Sequence, residues 1–121
     1  MIRIIGIQRS PSIKEEFILL QNQGHLRLGI RGHVIMAESA IGNSACASLH
    51  SFADDAQIPA GAYVILRTGF GDPRWARTKD GALIYYAFAG REENLWTTSG
   101  PVHILAPHHT YVERSPALAV A

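Results

Sequence analysis

The residues best equipped for chemistry lie late in the chain, where His103, His108 and His109 fall close together and Glu113 follows. Imidazoles with one carboxylate are the donor set of a catalytic metal site, and a metal-dependent hydrolase is the activity they would support. Ligands must converge, however. Strand alternation puts His103 opposite Val102 and Ile104, and the adjacent His108 and His109 sit at a Pro107 turn and point apart. Surface histidines are the expectation, with no metal and no cofactor. Cys46 and His50 stand four apart without a third orienting group, so no thiolate nucleophile is read there. Gly69, Phe70 and Gly71 begin like a phosphate loop but lack the third glycine and the helix that would follow. The acid pairs Asp54–Asp55 and Glu92–Glu93 read as solvated turns rather than as an acid and a base.

One constellation remains. Arg67, Phe70, Arg74, Trp75, Arg77 and Lys79 stand against Asp72 and Asp80, a locally basic stretch with two aromatics. Arginine beside tryptophan suits cation-π contacts, protein hot spots and the stacking of single-stranded bases. The competing reading folds Phe70 and Trp75 back over the end of the domain and leaves the arginines solvated.

The elements that must position these residues are short apolar runs between Gly, Pro, Asn and Asp, the pattern of a many-stranded protein. Strands are expected near residues 2–7, 16–21, 26–36, 48–52, 62–67, 82–88, 102–105 and 110–113, about eight in all. No window shows a sustained helical period. Asn22, Gln23 and Gly24 suit a tight hairpin turn, Gly29 and Gly32 mark a bulge or bend, and Pro59, Ala60 and Gly61 form a turn. Residues 69–81 form the longest break, and residues 115–121 are expected to fray.

Composition sets the outer limits. A chain of 121 residues with 47% hydrophobic and 17% charged residues has the size and character of a single globular domain, spanning 1–121. The net charge of +1 gives no field that would select nucleic acid by itself, and all basic residues except Lys14 and Lys79 are arginines. A lone Cys46 excludes an internal disulfide. Neither a signal-peptide core nor a run long enough to span a membrane is present, so a cytoplasmic chain with no membrane partner is expected.

The order of residues resembles the lamin tail domain, an immunoglobulin-like β-sandwich. Glu16 to Gly24 is similar to that family's early strand and Asn-x-Gly corner, and Leu28, Ile30, Gly32 and Ile35 follow its apolar pattern. Phe52, Ile58, Pro59, Gly61, Tyr63 and Val64 resemble its Phe and Leu-x-Pro-x-Gly corner, and Leu95 to Val102 its Leu-Trp-Asn-Asn-x-Gly segment. His33 stands where the family usually has tryptophan, and Thr97 and Thr98 replace the asparagines. The resemblance implies an all-β, immunoglobulin-like antiparallel sandwich and a non-enzymatic interaction module, binding protein or itself through loops and edge strands. Nucleic acid held by the 67–79 segment is the alternative, and the histidine hydrolase comes last. Trp96 is expected to be a core anchor.

Overall fold

A computed structural model describes residues 1–43, 48–97 and 100–108. These residues form ten strands: β1 (Ile2–Gln8), β2 (Phe17–Asn22), β3 (Leu28–Gly29), β4 (Val34–Ala37), β5 (Leu49–Ser51), β6 (Gln57–Ile58), β7 (Tyr63–Arg67), β8 (Arg74–Arg77), β9 (Leu83–Phe88) and β10 (Val102–Leu105). A single 3-10 turn, Glu38–Ala40, is the only helix among the described residues. The strands form a five-stranded sheet in the order β1-β2-β7-β9-β8, a three-stranded sheet β10-β4-β5 and the small pair β3-β6.

The core lies between these sheets, which makes the domain an all-β sandwich. From the large sheet, Ile18 and Leu20, Val64 and Leu66, and Tyr85 and Ala87 point inward. They meet Ile35, Ala37 and Ile58 from the smaller sheets, together with Ile30, Phe52, Leu95 and Trp96. Each fully buried Leu, Ile, Val or Phe side chain contributes roughly 1.5–3 kcal/mol by leaving water.

Several expectations need correcting. The sheet is mixed rather than purely antiparallel, because β7 and β9 run parallel, with Tyr63 opposite Ile84 and Arg67 opposite Phe88. The chain leaves β7, passes the end of β9, descends as β8 and returns as β9 between them. The break at residues 69–81 therefore contains an edge strand. The expected strand at 26–36 is two strands, since the chain turns at Gly32, whose φ of 88 puts it in the left-handed region. The expected strand at 110–113 and the tail at 115–121 lie outside the described residues.

Asn22, Gln23 and Gly24 do not close a hairpin either, because β2 pairs with β1 and β7 while β3 pairs with β6. The reason is the fully buried Asn22 side chain. Its Nδ2 donates to the carbonyls of Leu26 and Ile58, each at 2.9 Å, and its Oδ1 accepts from the Gly24 N–H at 3.1 Å and the N-terminal amine at 3.3 Å. This ties the end of β2 to the corner before β7, where Gly61, at φ 82, and the Ala62 N–H bond to Pro59 close the expected turn.

Candidate functional site

Period-2 alternation in the large sheet sends every other side chain away from the core. Register places these outward residues in rows. Gln8, Phe17, Arg67 and Phe88 form one; Gly6, Leu19, Ile65, Tyr86 and Arg74 form the next; Arg3, Gln21, Tyr63, Ile84 and Ala76 form the third. Ring contacts confirm the alternation: the Arg74 guanidinium lies over the Tyr86 ring at 4.4 Å, and that of Arg67 over Phe17 at 5.8 Å. Aromatic rings and arginines thus share one face, and no carboxylate stands in any of the three rows. Strands of the other two sheets send Leu28, Ile35, Ile58, Val102 and Ile104 to the core, so they lie on the opposite side.

At one end this face runs into a cleft of about 610 Å³ lined by Ile13, Lys14, Arg67, Gly69, Phe70, Phe88, Arg91 and Glu92. Its shape follows from the crossover between β7 and β8, which must climb past the end of β9. Backbone bonds from Ala89 to Arg67, Gly90 to Gly69 and Arg91 to Thr68 hold the two segments together. A Cβ on Gly71 would fall on the Phe88 ring, so only glycine lets the crossover pass so close. Phe70, directly before it, is 71% exposed at the rim. One Arg67 guanidinium N–H donates to the Lys14 carbonyl at 3.1 Å, joining the loop before β2 to the cleft wall.

The structure divides the cluster expected from sequence. Arg67 and Arg74 point outward, and Phe70 stands at the cleft. Trp75 lies opposite Tyr85 on the core-facing side of the edge strand, 5.0 Å from its ring, and remains 42% exposed. It is half cover and half surface, because an edge strand has a neighbour on one side only. Arg77 donates to the Gly81 carbonyl at 2.8 Å and so closes the turn that carries Lys79, away from the cleft. What the six positions do not reveal is the contribution of Arg3, Phe17, Tyr63, Tyr86 and Phe88. A signal existed: Phe17 to Leu20, Tyr63 to Leu66 and Leu83 to Phe88 are unbroken apolar runs, which make both faces of a strand apolar.

Two carboxylates outside this face are held by partners within the fold. Glu16, wholly buried, accepts from the Thr68 hydroxyl at 2.5 Å and from the N–H groups of Leu95 at 2.8 Å and Trp96 at 3.4 Å. Asp54, expected in a solvated turn, instead accepts from the Tyr85 hydroxyl at 2.7 Å. Burial and that bond push the phenol up to about 12. His103 is half exposed, 3.5 Å from Glu38, and His108 is exposed. His109, Glu113 and Cys46 lie outside the described residues, and among the described ones no three His, Cys, Asp or Glu side chains gather to hold a metal. No described helix is long and apolar enough to cross a membrane. No family model matches this chain, and neither the curated proteins nor the solved structures contain a significant match.

Proposed function

We propose that this chain is a non-enzymatic interaction module that takes up a macromolecular partner on the outer face of its five-stranded sheet and on the adjoining cleft. The observation that carries the reading is that face itself. Strands apolar on both sides are the mark of sheets covered on both sides, yet the described strands of the other sheets all lie on one side. The apolar side chains of the face are half-buried, apart from buried Ile65, and adjoin the exposed Phe70 at the cleft rim; contiguous apolar surface left partly open to water marks an interaction site. Edge strand β8 adds a second route: among the described residues no strand pairs with its outer edge, and such an edge offers backbone groups to a strand from a protein partner. The resemblance to lamin tail domains is part of the same proposal and points to the same class of function.

Self-association by stacking two outer faces is disfavoured by charge, because a two-fold contact would bring Arg67 and Arg74 of one copy onto the same cationic surface of the other. A photo-reactive phenylalanine placed at Phe88, and another at exposed Leu26 beyond the opposite end of β2 as control, tests the reading in cells. Adducts to a discrete macromolecule from position 88 and not from position 26 are expected. Equal yields, or none from position 88, would overturn it.

A further inference from the structure

On the reading that the outer face is the working surface, we infer that its occupant is a single-stranded nucleic acid, with bases on the rings and phosphates on the arginines. The face lacks acidic side chains. Its three rows hold Arg3, Arg67 and Arg74 and no acid, and Glu92 is the one carboxylate at the adjoining cleft, against Lys14, Arg67 and Arg91. The whole chain is nearly neutral, at +1, so this separation of charge belongs to the surface and not to the composition. A neutral apolar partner would desolvate the arginines without compensation. A polyanion pairs with them.

The rings decide which polyanion. Phe17, Tyr63, Tyr86 and Phe88 are planar, half-buried groups on one face of the sheet, and base-aromatic stacking is the interaction that such rings offer to unpaired bases of any sequence. Tyr86 and Phe88 are two residues apart on β9, a step of about 6.6 Å, which matches consecutive bases of an extended strand better than the closely stacked bases of a duplex. A duplex keeps its bases inside and presents only phosphates, leaving the rings unused. The Arg74 guanidinium already lies over the Tyr86 ring, 4.4 Å from its centroid, and a guanidinium in that place offers a further surface on which a base can stack. Phe70 and Phe88 line the cleft together with Lys14, Arg67 and Arg91, a place for a terminal or flipped base with its phosphate.

Fluorescence anisotropy with the whole chain tests this, using labelled oligo-uridine and oligo-thymidine of about twelve nucleotides and a duplex of equal length. Both single strands should bind, and the duplex at least tenfold more weakly. Three phosphate contacts predict a slope near −2 in log affinity against log salt, a loss of about twentyfold between 50 and 200 mM. Arg67→Gln should flatten that slope by roughly 0.7. Phe88→Leu and Tyr86→Leu should each weaken binding about tenfold at fixed salt; melting curves establish that the variant used is folded, and either one suffices. No binding of any oligonucleotide at 50 mM salt, binding indifferent to both ring substitutions, or preference for the duplex would overturn the inference. Should position 88 then crosslink to a protein, the interaction module stands and its nucleic-acid partner falls; absence of both signals removes both.

Discussion

Trp96 and Trp75 show how the same residue type serves different ends within one sandwich. Trp96 is 1% exposed among core side chains, and Arg9 clamps its segment by donating to the carbonyls of Trp96 at 3.0 Å and Gly100 at 2.8 Å. Trp96→Ala should cost on the order of 3–5 kcal/mol through lost burial and a cavity. Trp96→Phe should cost distinctly less, because the buried indole N–H has no partner among the described residues and its removal recovers part of the desolvation penalty. Trp75→Ala removes a partly exposed ring and one aromatic contact, so about 1–2 kcal/mol is expected. Denaturant titrations of the three variants check this order, and a Trp75→Ala loss as large as that of Trp96→Ala would make Trp75 a core residue instead. Glu16 is a further residue-scale case. Glu16→Gln leaves one oxygen for three donors and puts an amide N–H₂ among groups that already donate, so a loss of about 1–3 kcal/mol is expected in the same titration, with Thr68→Val partly offsetting it in the double variant.

At the level of elements, glycines set where strands stop and where they pass each other. Gly32 interrupts what would otherwise be one long strand and turns the chain so that β3 can pair with β6 while β4 pairs with β10 and β5. Gly32→Ala meets both a left-handed backbone and the Pro107 ring, whose Cβ lies 3.3 Å from the added carbon. A destabilisation of about 1–2 kcal/mol should appear in thermal melts, and an unchanged melting temperature would mean that the turn relaxes. The break was readable from the glycines themselves. Its effect on pairing was not, because two strands of two residues each carry too little pattern to announce a partner. For the same reason β8 was hidden: Arg74, Trp75, Ala76 and Arg77 show no clean alternation, and an edge strand needs none.

For the molecule as a whole, buried His33 and half-buried His50 make stability depend on pH. Burial holds His33 and His50 below the usual value of 6.5; in His33 the Ile30 carbonyl opposes this, and in His50 Asp54 opposes it while Arg91 adds to it. With a lower pKa in the folded state, the unfolded chain takes up protons first. The stabilisation is therefore complete above about pH 6.5 and is lost as pH falls through the folded values. The melting temperature should drop between pH 7.5 and pH 5.5, and His50→Leu should reduce that drop; a curve flat over this range would show that both sites open readily to water. What the residue order determined unaided was the class of fold, the core position of Trp96 and the turn at Pro59 to Gly61, since burial, alternation and turn geometry act over a few residues and leave local marks. Tertiary structure alone decided that β9 inserts beside β7, that Asn22 joins distant segments and that Phe17, Arg67, Phe88, Tyr86 and Arg74 share one face. Those neighbours lie up to some seventy positions apart in sequence, and only the register of strands brought together by the core sets which side chains meet.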